Sequence, residues 1–157
     1  MAIQVAVCGP RDCTEAERDT AYELGRLLAD RGAVVICGGY GGVMAAVAAG
    51  ARSADGVVVG ILSGADRRGA NPDLSIIIPT GLGSARNAVI AGSGDAVIAV
   101  GCSWGTLSEI AFAARRGDVP VVLIGGWRLL DDAGEPVPGL SHAGTPREAL
   151  DVTGLWP

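Results

Sequence analysis

Along this chain, short unbroken apolar runs alternate with stretches of helical spacing. Ile3 to Val7 is a continuous β-rich run ending in Cys8-Gly9-Pro10, which predicts a strand and then a turn. Thr14-Glu15-Ala16-Glu17 matches a capping box, and Ala21, Leu24, Leu27 and Leu28 supply the apolar stripe of a helix that Gly32 ends. Val34 to Cys37 predicts a second strand, broken by Gly38-Gly39-Tyr40-Gly41-Gly42, and a small-residue helix follows from Val43 to Arg52. Val57 to Leu62 reads as a third strand, Ser63 to Asp73 as a polar, glycine-rich loop, and Leu74 to Ile78 as a fourth strand closed by Pro79. Ala85 to Gly92 reads as a helix, Ala96 to Val100 as a fifth strand, Thr106 to Arg116 as a helix and Val119 to Ile124 as a sixth strand. The stretch from Trp127 to Ser141 is loop-like, and Thr145-Pro146-Arg147-Glu148 opens a last short helix with proline at its first position.

Strands that are apolar throughout, rather than alternating, belong to a sheet covered on both faces. With helices between them, the expected class is α/β: a doubly wound, mostly parallel, Rossmann-like sheet of about six or seven strands with helices on both faces. The 157 residues suit one domain with one core, so residues 1–157 are expected to form a single nucleotide- or phosphate-binding domain. Ligands of such sheets bind beyond the carboxyl ends of the strands, where the strand order reverses. That rule directs attention to the loops after Val7, Ile36, Ile78 and Val100.

Composition narrows the chemistry. No apolar run approaches the roughly 18 residues of a membrane span, and the start Met1-Ala2-Ile3-Gln4-Val5 lacks the basic opening of a signal peptide, so a cytoplasmic protein without a membrane partner is expected. The net charge of −5 argues against a protein that tracks a nucleic-acid backbone, although helix N-termini and single arginines still attract anions locally. All 12 basic residues are arginine, which excludes Schiff-base chemistry, a pyridoxal-phosphate lysine and a Walker-type P-loop. With His142 as the only histidine, a histidine-rich metal site is impossible, and a Ser-His-Asp triad would have to use a residue in a Gly/Pro-rich tail. Cys8, Cys13, Cys37 and Cys102 form no C-x-x-C pair; Cys8, Cys37 and Cys102 each follow a strand and read as small buried strand-end residues, with a thiolate metal site as the alternative. No metal ligand set is assigned.

Three loops carry candidate chemistry. Gly38-Gly39-Tyr40-Gly41-Gly42-Val43-Met44 lets the backbone turn tightly and present N–H groups to an anion at a helix start. It is a poor dinucleotide fingerprint, because Met44 stands where a third glycine belongs and no acid caps a strand about twenty residues on. Gly101-Cys102-Ser103-Trp104-Gly105-Thr106-Leu107-Ser108-Glu109 forms a second cradle, with Ser103 and Thr106 hydroxyls beside free N–H groups. Thr106-x-x-Glu109 also fits a capping box, which would make Glu109 purely structural. In Thr80-Gly81-Leu82-Gly83-Ser84-Ala85-Arg86-Asn87, Arg86 opens a helix, where a cation is locally unfavourable and an anion would offset it; an incidental surface ion pair is the alternative. Arg11, after Gly9-Pro10, is a weaker candidate.

Cys37-Gly38-Gly39-Tyr40-Gly41-Gly42-Val43-Met44, Gly83-x-x-Arg86-Asn87, Ser93-x-Asp95-Ala96-Val97-Ile98-Ala99 and Gly105-Thr106-Leu107-Ser108-Glu109-Ile110 together resemble the molybdenum-cofactor carrier-protein-like branch of the Lonely Guy superfamily, also labelled "possible lysine decarboxylases". The resemblance runs from Ile3 to about Ile124. It implies one of two functions. Lonely Guy phosphoribohydrolases cleave the N-glycosidic bond of cytokinin nucleoside 5′-monophosphates, using an arginine before a helix and the glutamate of Pro-Gly-Gly-x-Gly-Thr-x-x-Glu; Arg86 and Glu109 match those positions. The glycines and Thr106 would then hold the 5′-phosphate, while Glu109 stabilises developing positive charge or activates water and Arg86 orients the substrate. Carrier relatives instead hold the molybdenum cofactor, a pterin phosphate. This chain departs from the hydrolase pattern: Gly101-Cys102-Ser103 replaces Pro-Gly-Gly, Asn87 replaces a lysine and Ser108-Glu109 replaces a Glu-Glu pair. The decarboxylase label fails for want of a lysine.

The expected function is therefore binding of a phosphate-bearing, nucleotide-like ligand, an AMP-like nucleotide or a pterin phosphate, with molybdenum cofactor as a carried ligand and no cofactor required. The expected site comprises Gly9, Gly38, Gly39, Gly41, Gly42, Met44, Arg86, Asn87, Ser103, Gly105, Thr106 and Glu109. A phosphoribohydrolase with Arg86 and Glu109 as catalytic residues is the alternative, and a nucleotide-sensing signalling domain the third. The resemblance further implies a homo-oligomer, dimer or tetramer.

Overall fold

A computed structural model describes all 157 residues. Seven strands form one sheet: β1 (Gln4–Cys8), β2 (Val34–Cys37), β3 (Val58–Leu62), β4 (Ile76–Pro79), β5 (Ala96–Val100), β6 (Val121–Ile124) and β7 (Ser141–Ala143). Their spatial order is β4-β3-β2-β1-β5-β6-β7, and every neighbouring pair is parallel. The α/β, Rossmann-like arrangement expected from the apolar runs is the one observed.

Helices α1 (Glu15–Asp30), α2 (Val43–Ser53) and α5 (Pro146–Thr153) cover one face, and α3 (Arg86–Ser93) and α4 (Trp104–Arg116) cover the other. Alternate strand residues serve the two layers. Val5, Val7, Val35 and Ile98 pack with Leu24, Leu28 and Val47 of the first, whereas Ala6, Ile36, Val97 and Ala99 pack with Ile90, Ile110 and Ala113 of the second. All five residues of β5 are buried, which is why its sequence shows no alternation.

Local signals explain the helix starts. Thr14 and Glu17 form the reciprocal capping box of α1, and Thr145 caps α5 ahead of Pro146. Two expectations need correction. Ser141, read as the end of a loop, opens the edge strand β7 (Ser141–Ala143), which is in register with Val122–Ile124. β4 begins at Ile76 rather than Leu74, so the loop after β3 runs to Ser75 and crosses to β4 without a helix. The strand order turns back between β1 and β5, which places the loops after both strands at the head of the crevice.

Candidate functional site

Five segments enclose a cavity of about 500 Å³. The loop after β1 supplies Gly9 and Arg11, the glycine run after β2 supplies Tyr40 and Met44, and the loop after β3 supplies Ser63, Arg68 and Gly69. The first turn of α3 adds Arg86 and Asn87, and the β5–α4 junction adds Ser103, Gly105, Thr106 and Glu109.

Eight of the twelve residues expected at the site line this one cavity: Gly9, Met44, Arg86, Asn87, Ser103, Gly105, Thr106 and Glu109. Gly38, Gly39, Gly41 and Gly42 do not line it; they shape the loop that bounds it. The Gly38 carbonyl accepts from Arg86 at 2.8 Å, and the Gly39 carbonyl accepts from the Asn71 N–H at 2.9 Å. Gly42 has φ 64°, and a Cβ there would lie 2.2 Å from the Arg11 carbonyl oxygen, so only glycine lets α2 begin against the Pro10-Arg11 turn.

Sequence reasoning passed over Tyr40, Ser63, Arg68 and Gly69. Tyr40 is the one side chain inside the glycine run, and the other three follow a strand end on the crevice edge. The first signal stood in the sequence; the contribution of the loop after β3 did not, because long-range ties carry it to the site. The Tyr40 hydroxyl accepts from the Gly64 N–H at 3.0 Å, and buried Asn71 donates to the Tyr40 carbonyl at 3.1 Å, so the loop after β3 is tied to the loop after β2. Burial of the Tyr40 phenol is outweighed by hydrogen bonds from Ser63 and Gly64 and by the Arg86 charge, which lower its pKa. The guanidinium carbons of Arg11 and Arg86 lie 5.4 and 5.8 Å from its ring centroid.

Arg86 is held on three sides. Its Nη1 donates to the carbonyls of Gly38 (2.8 Å) and Ile61, at the ends of β2 and β3, and its Nε donates to Asn87 Oδ1 at 3.0 Å. The anionic offset expected for a cation at a helix start is therefore met in part by the protein's own carbonyl dipoles. Neither Arg11 nor Arg86 joins an ion pair; the paired arginines are Arg26, Arg68 and Arg116. Asn87 Nδ2 also donates to Ser108 Oγ at 2.9 Å. Two departures from the hydrolase pattern thus touch each other, as a neutral contact bridging α3 and α4.

The capping-box reading of Glu109 fails. α4 starts at Trp104, two residues earlier than expected, and its N-cap is Ser103, whose Oγ accepts from the Thr106 N–H at 3.3 Å. Thr106 therefore lies inside the first turn and Glu109 inside the second, with no cap to close. The main-chain N–H groups of Trp104 and Gly105 have no protein acceptor, and Ser103 and Thr106 hydroxyls stand beside them, 3.0 Å apart. Burial pushes the Glu109 carboxyl up to about 7, against the pull of Arg86 and the Cys8 thiol. Burial also raises Cys8, and it raises Cys37 to about 12, so both thiols are neutral and unreactive. All four cysteines are free, and no group of three or more His, Cys, Asp or Glu side chains is placed to hold a metal ion. His142 sits on β7, outside the cavity lining.

The fold recurs in known proteins. A molybdenum cofactor binding protein from Rippkaea orientalis superposes with TM-score 0.86 at 32% identity, over 97% of this chain and 95% of that one. The molybdenum cofactor carrier protein of Chlamydomonas reinhardtii matches with TM-score 0.84 at 31% identity, over 98% and 96%. DNA processing protein A of Helicobacter pylori shares the fold alone, with TM-score 0.68 at 17% identity over 96% and 79%. An uncharacterised protein of Archaeoglobus fulgidus is 42% identical over 140 residues, covering 86% of this chain and 92% of that protein. The profile of the SLOG cluster4 family matches residues 2–149, and the chain belongs to that family.

Proposed function

We propose that this chain binds a phosphate-bearing, pterin- or nucleotide-like small molecule in the cavity and serves as a carrier of molybdenum cofactor. The supporting observation is the donor set. Two N–H groups at the start of α4, the Ser103 and Thr106 hydroxyls and two guanidiniums without carboxylate partners meet in one cavity of a chain whose net charge is −5. Such a set suits an anion, and a phosphate at a helix start is the arrangement the α4 dipole favours.

The residues fit a pterin phosphate by their chemistry. Ser103, Gly105 and Thr106 would take the phosphate, Arg86 and Arg11 would face its remaining anionic or acceptor atoms, and Tyr40 would hold the two guanidiniums in place. The cofactor is cargo in this reading, so the chain's residues bind, orient and shield it. The names of the structural relatives point the same way.

A second reading has its own observation. Arg86 and Glu109, the pair matching the phosphoribohydrolase positions, share the cavity, and a carboxyl near 7 is suited to proton transfer at neutral pH. Thermal-unfolding scans with anaerobic molybdenum cofactor, AMP and GMP, combined with chromatography for free base and ribose 5-phosphate, separate the two. Protection by the cofactor without product supports the carrier. Release of base, abolished by Glu109→Gln, overturns it in favour of the hydrolase.

A further inference from the structure

Glu109 is the only carboxylate lining the cavity, among Arg11, Arg68 and Arg86. It forms no ion pair, because Arg86 is engaged by the Gly38 and Ile61 carbonyls and by Asn87. It follows Gly105 by four positions and Thr106 by three, so its side chain shares a face of α4 with the turn that offers N–H groups and hydroxyls to an anion. An ionised Glu109 beside a bound phosphate would place two like charges in one cleft, one of them on a largely buried carboxylate.

The groups facing Glu109 do not relieve that conflict. β1 brings the Cys8 thiol and β2 the Cys37 thiol, both neutral; α3 brings Arg86; the loops after β1, β2 and β3 bring Arg11, Tyr40 and Arg68 to the same cavity. Among these, the Arg86 charge and a hydrogen bond from the Cys8 thiol favour ionised Glu109, and burial outweighs both.

We propose that Glu109 meets the ligand as a neutral carboxylic acid, donating its O–H to an acceptor atom of an anionic ligand, so that binding takes up one proton. The proposal rests on the reading of the cavity as an anion site and adds a selection rule. The ligand presents a carbonyl or phosphoryl oxygen to Glu109, and affinity declines as the medium becomes alkaline. A ligand presenting only donors there would need the carboxylate and would show the opposite pH dependence.

The test is calorimetric titration of the full chain with AMP at pH 7.0 and pH 8.5, in two buffers of different ionisation enthalpy, with product checked by chromatography. The second ionisation of a phosphate monoester has a pKa near 6, so AMP is already about nine-tenths dianion at pH 7.0 and its charge changes little across this window. The expected result is binding roughly tenfold weaker at pH 8.5 than at pH 7.0, with proton uptake approaching one per chain at the higher pH. Glu109→Gln keeps a donor at this position, so its affinity is the same at both values and exceeds that of the wild type at pH 8.5. Buffer-dependent heats need only the wild-type protein, so a poorly folding variant does not spoil the test. Wild-type binding with no proton uptake overturns the proton step and leaves the anion site standing. Failure of AMP to bind at either pH overturns the proton step for a nucleotide monophosphate, whereas the carrier reading stands or falls on binding of the cofactor itself.

Discussion

Gly42 shows how little room the crevice leaves at a single position. An added methyl would meet the Arg11 and Pro10 carbonyl oxygens at 2.2 and 2.4 Å, at a φ of 64° that side-chain-bearing residues avoid. Gly42→Ala is expected to cost more than about 2 kcal/mol, read as a fall in the urea midpoint. Arg86 fails differently. Lysine retains the charge but lacks the planar fork that spans Gly38, Ile61 and Asn87, so Arg86→Lys should weaken AMP binding about tenfold or more in titration. Glu109 ties stability to pH. Its folded pKa of about 7 lies above the ordinary 4.5, so between those values the folded chain holds more protons than the unfolded one, and stability falls as pH rises through that window. Glu109→Gln cannot ionise and should lose less stability than the wild type between pH 5 and pH 8, as measured by denaturant midpoints. An equal loss in both proteins would mean that Glu109 is not the group responsible.

At the scale of elements, α4 is set by Ser103 rather than by Thr106. Ser103→Ala removes the cap and is expected to cost about 1 kcal/mol, while also weakening phosphate binding through the lost hydroxyl. Equilibrium unfolding and AMP titration of the same variant would show both losses. What the sequence made legible follows from periodicity. The five long runs of β1, β2, β3, β5 and β6 are apolar because both faces are covered, and each appeared as a strand. β7 stayed hidden because Ser141-His142-Ala143 is short and polar, and becomes a strand only by pairing with the open edge of β6. The cavity was legible where glycine runs and helix starts coincide with strand ends. The contribution of the loop after β3 was not, because Arg68 reaches the site through tertiary ties, Tyr40 to Gly64 and Asn71 to Gly39, that no local pattern records. α1 and α2 also approach so closely that a Cβ on Gly50 would sit 1.9 Å from the Tyr22 carbonyl oxygen, a contact visible only once both helices are in place.

The whole molecule sets a cationic cavity into an acidic chain. Net repulsion elsewhere keeps anions from adhering generally, while Arg11 and Arg86 stay without carboxylate partners where the ligand is expected. No helix is long and apolar enough to cross a membrane. Half-exposed Val89 and Phe112 on neighbouring helices α3 and α4 are the proposed surface for the homo-oligomer that the resemblance implies. Light scattering on the wild type and on Phe112→Asp checks it, with the variant expected to be the smaller species.

The central claim is that this crevice holds molybdenum cofactor through Arg86 and the start of α4. Equilibrium binding of anaerobic cofactor to the wild type and to Arg86→Ala tests it most directly. The account predicts saturable binding of one cofactor per chain, weakened at least about tenfold in the variant, a loss near 1.4 kcal/mol. Absence of saturable binding to a folded wild type, or equal affinity in the two proteins, would contradict it.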